Sequence, residues 1–150
     1  MKRRTCVITG ATGLIGSELV ATLSTEYEVH AVARHPFQHH GVTWHELDLA
    51  GSCGLDSLPG RVDAVVYLAQ SEFFRDFPQH GLDVYQVNTM NLLRFLDYAW
   101  KSGARNFVFA SSGGVYGSGD SRMSEEIEIP MRGDLGFYLS TKLCSEILVQ

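Results

Sequence analysis

Residues 7–16 read VITGATGLIG: a strand-like, β-branched run breaks into glycines at 10, 13 and 16 and passes straight into a helical pattern. No other stretch restricts the fold as tightly. A strand that turns at once into a helix needs a residue without a Cβ at the turn, and the helix needs another where it rests on the sheet. The helix start then presents N–H groups and the positive end of its dipole to whatever lies above the strand. An anion suits that place. Strand, glycine turn and helix at the head of a chain predict a pyrophosphate cradle and hence dinucleotide binding, against the plainer reading of a structural turn. Thr12, Leu14 and Ile15 belong to the same cradle as Gly10, Gly13 and Gly16.

The rest of the chain keeps the alternation of strand and helix. Apolar, β-branched runs at 5–10, 28–34, 42–47, 63–69 and 106–112 read as strands, and VVYL and FVFA are continuous enough to be covered on both faces. Between them lie helical patterns. Residues 14–24 set Leu14, Ile15, Leu19 and Leu23 on one stripe. Residues 81–102 do the same with Val84, Val87, Leu92, Phe95, Leu96 and Ala99, and KSGAR supplies a basic last turn and a glycine stop. A third helix starts near Leu135 and is still running at Gln150. Strand–helix alternation predicts a parallel sheet with right-handed crossovers in one α/β domain over residues 1–150. The polar stretch 117–134 reads as a long loop.

Composition excludes several classes. A net charge of −5 argues against a dedicated nucleic-acid binder. Cys6, Cys53 and Cys144 fit neither a disulfide framework nor a zinc spacing; Cys6 and Cys144 read as small core residues, and a reducing, cytoplasmic setting is expected. No apolar run is long enough to cross a bilayer, and the basic start MKRR precedes too short an apolar stretch for a signal peptide. His39, His40 and His45 cluster loosely without completing a metal spacing, so no metal is expected. The aromatics of EFFRDF (72–77) read as a satellite packing cluster.

Two groups carry chemistry. The end of the second strand, VHAVARHP, offers no acid for a ribose 2′-hydroxyl, whereas Arg34 offers a fork suited to a 2′-phosphate; NADP is therefore favoured, with NAD the alternative. Further on, FVFASSGGVYG closes the fifth strand with Ser111 and Ser112, and YLSTK sets Tyr138 one helical turn from Lys142. A phenol titrates near pH 10, too high to exchange protons freely at neutral pH. A nearby ammonium, with an oxidised nicotinamide's positive charge, stabilises the phenolate and is expected to lower that value. Tyr138 would then take a substrate hydroxyl's proton as hydride moves, or return it on reduction. A serine hydroxyl would bond the same substrate oxygen.

The Gly-x-x-Gly-x-x-Gly spacing resembles that of the short-chain dehydrogenase/reductase superfamily. SSGGVYG, VVYLAQ and the asparagine of VNTMNLL are similar to its extended branch, the NAD-dependent epimerase/dehydratase family of nucleotide-sugar enzymes, from Thr5 to the last residue. The resemblance implies a Rossmann-type, doubly wound parallel sheet of about five strands in the order 3-2-1-4-5. It implies Ser112 as the catalytic serine, Tyr138 as the acid/base, and Lys142 as its partner and a hold on the nicotinamide ribose. Asp48 and Leu49 fall near the adenine, Leu68, Ala69 and Gln70 where the fourth strand passes the cofactor, Asn88 on the central helix, and Ser111 beside the serine. Gly113 and Gly114 stand where the family's dehydratases carry acids, so epimerisation or ketone reduction fits better than loss of water. Gln70 replaces a common small residue, a departure the sequence leaves unexplained.

Members of that family run to about twice this length. A sixth strand and a C-terminal lobe that grips the sugar nucleotide are expected beyond the cofactor half. The expected activity is hydride transfer at a nucleotide sugar's carbinol or ketone. The alternative is an NADP-binding module without turnover, or a half that needs a partner. Helices 81–102 and 135–150 are where the resemblance places a homodimer contact, with Tyr85, Phe95, Tyr98 and Trp100 on the first of them, against the plainer reading that core burial explains much of that aromatic pattern.

Overall fold

The computed structural model describes residues 3–37, 40–51, 54–117, 124, 126, 129 and 135–150. Cys53, His39 and most of the expected loop at 117–134 lie outside the described residues. The elements run β1 (Arg4–Thr9), α1 (Leu14–Leu23), β2 (Tyr27–Ala33), β3 (Val42–Glu46), β4 (Ala64–Tyr67), α2 (Gly81–Tyr85), a π-turn (Gln86–Met90), α3 (Asn91–Ser102), β5 (Asn106–Phe109), a 3-10 turn (Gly113–Tyr116) and α4 (Gly136–Val149). All strand pairs are parallel, in the order β3-β2-β1-β4-β5 expected from the sequence. β1 lies at the centre, with Cys6 opposite both Val29 and Ala64.

Alternation along the strands divides the core. Cys6 and Ile8 of β1, Val29 and Ala31 of β2 and Val66 of β4 join Val20 of α1 on one face. Val7, Val32, Val65 and Tyr67 point the other way and meet Val87, Leu92, Phe95 and Ala99. Successive side chains of a strand face opposite sides, so one buried strand feeds two cores. β5 pairs only with β4 among the described residues, and Val108 on it stays exposed.

Three sequence expectations change in the structure. The stripe assigned to α1 is buried only in part: Leu19 and Leu23 pack against the core, but Leu14 and Ile15 are 90% and 64% exposed, while Gly16 and Val20 are buried. The physical cause is close approach. A Cβ on Gly16 would lie 2.2 Å from the Gly10 carbonyl oxygen, so the face that rests on the turn has to be made of small residues. The helix at 81–102 is continuous but widens into the π-turn, and Gly103 ends it in the left-handed conformation as its position predicted. Of its four aromatics, Phe95 is buried and Tyr98 donates to the Pro59 carbonyl at 2.6 Å, which leaves Tyr85 and Trp100 exposed. Finally Cys144 is exposed, although Cys6 is buried as expected. Among the described residues no helix is long and apolar enough to cross a membrane.

Candidate active site

A cleft of about 290 Å³ opens above the ends of β1, β2, β3 and β4. Parallel sheets place ligands at these carboxyl ends, and here the strand order reverses between β1 and β4. Gly10, Thr12 and Gly13 form one wall; Arg34 and Asp48 lie beyond β2 and β3; Leu49 stands next to Asp48; Leu68, Ala69 and Gln70 continue from β4. The structure thus brings nine of the sequence-expected cofactor residues to one cleft.

Its floor is made of backbone. Gly10 sits at φ +65°, and a Cβ there would lie 2.8 Å from the Ala69 nitrogen, so the exit of β4 passes directly over the turn. Thr9 Oγ1 accepts from the N–H groups of Leu68 and Ala69 at 3.2 Å each, which fixes that passage. α1 begins at Gly13 with no side-chain cap and no acid in its first turn. That start is free of competing carboxylates and is suited to an anion. A dinucleotide fits the residues present: glycines where a pyrophosphate would approach, a helix start toward it, and apolar Leu49 and Ala69 at the sides.

The tyrosine end is made of side chains. The half-buried Tyr138 donates its phenolic proton to Gln70 Oε1 at 2.7 Å, and its ring lies against Phe74 with centroids 5.1 Å apart. Gln70 lines the cleft, so the phenol stands at its mouth. Lys142 is 2% exposed, donates to the Ala110 carbonyl at 2.9 Å, and lies 5.9 Å from the centre of the Tyr138 ring. Burial lowers its pKa from 10.5 to about 8. Tyr138 moves against expectation. Its pKa is raised, chiefly by burial, with the Ser112 hydroxyl acting in the opposite direction. Lys142 makes its hydrogen bond to the Ala110 carbonyl, and its ammonium is not among the causes that shift the phenol.

Ser112 caps the 3-10 turn, its Oγ accepting from the Gly114 N–H at 3.3 Å. Ser111 instead donates to the Glu146 carboxylate on α4. Asn88 is wholly buried and does not line the cleft. It ties the two ends together: its Oδ1 accepts from the Ser71 N–H and its Nδ2 donates to Thr141 Oγ1, both at 3.1 Å. The π-turn around it turns the Val87 and Asn88 carbonyls to side chains, where they accept from the hydroxyls of Tyr67 at 2.6 Å and Ser145 at 2.8 Å. Such widened turns recur at functional sites.

Two functional side chains had no sequence signal. One is Gln70 as the partner of the phenol. The other is Glu72, whose Oε1 accepts from Arg34 Nη1 at 2.5 Å across the cleft. Only a periodicity-independent contact, 38 residues apart, makes that pair.

The chain is similar in sequence and fold to known proteins. The chain is 30% identical over 162 residues to UDP-glucose 4-epimerase 2 of Oryza sativa subsp. japonica, covering 95% of this chain and 39% of the relative. It is 29% identical to the UDP-glucose 4-epimerase of Azospirillum brasilense, covering 96% and 43%. Among solved structures it is similar to MoeE5 in complex with UDP-glucose and NAD, at 32% identity and a TM-score of 0.82 over 96% of this chain and 47% of that one. A short-chain dehydrogenase/reductase superfamily protein from Agrobacterium tumefaciens with bound NAD gives 30% identity and a TM-score of 0.82, over 97% and 44%. The chain therefore spans about two-fifths of the length of these curated relatives. A family model matches residues 6–150, a span that takes in the glycine turn, the cleft and the tyrosine helix, and the chain belongs to the NAD dependent epimerase/dehydratase family.

Proposed function

We propose that the chain supplies the cofactor site and the proton-transfer group of a nicotinamide-dependent enzyme that epimerises, or otherwise oxidises and reduces, the sugar of a nucleotide sugar. The observation that carries this reading is the Tyr138 phenol at the mouth of the glycine-floored cleft, with the Lys142 ammonium buried beneath it. UDP-glucose is the first substrate to try, since relatives named for it cover this whole region.

When bound, the nicotinamide supplies the hydride acceptor and donor. Gly10, Thr12, Gly13 and the start of α1 would hold the pyrophosphate, Asp48 and Leu49 the adenosine side, and Lys142 the nicotinamide ribose. Tyr138 handles the proton at the substrate oxygen: as phenolate it accepts the carbinol proton, and as phenol it returns it. Ser112 would bond the same oxygen and hold it in place. To begin a cycle, Tyr138 has to leave Gln70 for the substrate. Gly113 and Gly114 offer no acid after Ser112, which favours epimerisation or ketone reduction over elimination of water.

A second reading has its own support. The raised pKa of Tyr138 and its bond to Gln70 suit a dinucleotide-binding module without turnover. One assay separates them: titration with NAD⁺ and NADP⁺, followed by interconversion of UDP-glucose and UDP-galactose. In the chain extended by its natural continuation, interconversion supports the enzyme and binding without it supports the module; no binding of either dinucleotide sinks both. The expected homodimer has Leu82, Leu93 and Trp100 as exposed apolar side chains on its helices, and sedimentation tests it. The choice between NAD and NADP turns on Arg34, which is not free.

A further inference from the structure

β2 ends at Ala33, and the next residues, Arg34, His35, Pro36 and Phe37, contain no acid. In dinucleotide sites this strand end meets the adenosine ribose: a carboxylate there bonds the 2′-hydroxyl of NAD, and an arginine nearby accommodates the 2′-phosphate of NADP. Sequence order alone therefore leaves Arg34 to choose NADP. The structure places a carboxylate at that spot from elsewhere. Glu72, on the segment that leaves β4, reaches Arg34 at 2.5 Å, and both line the cleft beside Asp48.

The reach of Glu72 is built in. The preceding residue, Ser71, is buried; its N–H is held by Asn88 Oδ1, and its hydroxyl donates to Asp83 while accepting from the Phe73 N–H at 3.1 Å. The backbone that carries Glu72 is thus anchored to the buried asparagine of the π-turn. Asp48 and Asp83 line the same cleft, and both act on Arg34 along with Glu72. One cation faces three carboxylates.

These charges sort the two cofactors. A 2′-phosphate carries close to two negative charges, needs the guanidinium fork, and would have to displace Glu72 while Asp48 stays near. An exposed ion pair by itself is a weak restraint, worth at most about a fivefold factor, so the repulsion of the remaining acids adds to it. A ribose hydroxyl is neutral and needs only an acceptor. An ionised carboxylate has about four acceptor positions, so Glu72 can hold Arg34 and still receive a hydroxyl.

We propose that Glu72 is the cofactor-selecting residue of this site: it supplies from the β4 side the carboxylate that β2 lacks, with Arg34 as its anchor, so that NAD is taken in preference to NADP. This rests on the dinucleotide-binding reading of the cleft.

The test is calorimetric titration of the whole chain with NAD⁺ and NADP⁺, for the wild type, Glu72→Gln, and Glu72→Gln with Arg34→Ala. Glu72 is solvent-exposed, and circular dichroism checks that each variant keeps its fold. The wild type should bind NAD⁺ at least about fivefold more tightly than NADP⁺. Glu72→Gln should move the ratio at least about tenfold toward NADP⁺, by weakening the first and strengthening the second. Adding Arg34→Ala should remove the gain for NADP⁺. If both dinucleotides bind and Glu72→Gln moves their ratio less than about twofold, or if the wild type prefers NADP⁺, the selecting role is overturned while the dinucleotide site stands. If the wild type binds neither, the dinucleotide reading fails and takes this inference with it.

Discussion

The two ends of the cleft are built on different principles. At the glycine end, position is set by main chain: a turn at positive φ, the exit of β4 across it, and a helix that can only pack where Cβ atoms are missing. At the tyrosine end, position is set by side-chain hydrogen bonds that cross from one element to another: Tyr138 to Gln70, Lys142 to Ala110, Asn88 to Ser71 and Thr141. A backbone site tolerates no Cβ but needs few particular side chains. A side-chain site tolerates small movements but depends on each partner. On the proposed function, the first suits the bound dinucleotide and the second suits a group whose proton has to move.

That contrast predicts where single changes act. The largest effect falls on the tyrosine end without touching the other. Tyr138→Phe keeps the ring against Phe74 and removes the proton, so nucleotide-sugar turnover should fall about 10²–10⁴-fold. Dinucleotide affinity should stay within a few-fold, because no atom of the glycine floor changes. Steady-state kinetics and a binding titration measure the two halves separately, and turnover that survives in the phenylalanine variant removes Tyr138 from the mechanism.

Next in size is the charge buried at the tyrosine end. The folded pKa of Lys142 lies near 8, below its ordinary 10.5. Below pH 8 the amine is charged in both folded and unfolded chains, and the cost of burying that charge is present in full. Between pH 8 and 10.5 the unfolded chain holds the proton more strongly, so folding stability should rise across that window, by on the order of 3 kcal/mol for this group. Cys6 works the other way: its thiol is pushed up from 9.0 to about 11, so its contribution to stability is lost as pH rises through that interval. Comparing the wild type with Lys142→Met isolates the lysine. The methionine variant should be the more stable at pH 7, and its advantage should shrink by pH 10. An advantage independent of pH would mean that burial does not shift the pKa of this amine between the folded and unfolded chains.

The glycine end answers with a clash. Gly16→Ala puts a Cβ 2.2 Å from the Gly10 carbonyl oxygen, against main chain that cannot swing aside. Overpacking of this kind costs about 1–3 kcal/mol, and moving α1 away from the turn should also weaken dinucleotide binding. Chemical denaturation and the same titration measure both. If the variant keeps full stability and affinity, the close approach of helix and turn is not what positions the ligand.

The sequence was easiest to interpret where position is set by main chain. VITGATGLIG, the alternating strands and the stop at Gly103 are local patterns; the parallel sheet and the cradle followed from them, and the strand order from the family resemblance. α4 shows why the tyrosine end was harder. Its fully buried side chains are Thr141, Lys142 and Ser145, whereas Cys144, Ile147 and Leu148 are exposed. Apolar periodicity therefore points to the wrong face, since this helix turns polar groups inward to make the site. The Tyr138–Lys142 spacing was visible, but its partners were not: Gln70 lies 68 residues from Tyr138, and Asn88 lies 53 from Thr141. The π-turn is a one-residue change in a helix and leaves no mark in the apolar pattern. Arg34 was legible as a cation, and Glu72 opposite it was not, because the two lie 38 residues apart.

The smallest expected effect concerns the residue that the sequence left unexplained. A neutral phenol can donate to the Gln70 carbonyl and a phenolate cannot, so the bond at 2.7 Å favours the protonated tyrosine. Gln70→Ala should therefore lower the titration midpoint of Tyr138, through loss of one hydrogen bond worth about 0.5–1.5 kcal/mol. The shift is bounded because a glutamine has a second option: its amide can turn and offer N–H to the phenolate instead. Ultraviolet absorbance titration of Gln70→Ala against the same chain with Tyr138→Phe isolates this one phenol from the other tyrosines. A lowered midpoint means that Gln70 stabilises the protonated phenol through its carbonyl. A raised one means that Gln70 presents its N–H and stabilises the phenolate, which would make it part of the acid/base machinery and leave the tyrosine end less dependent on Lys142 than its buried position implies.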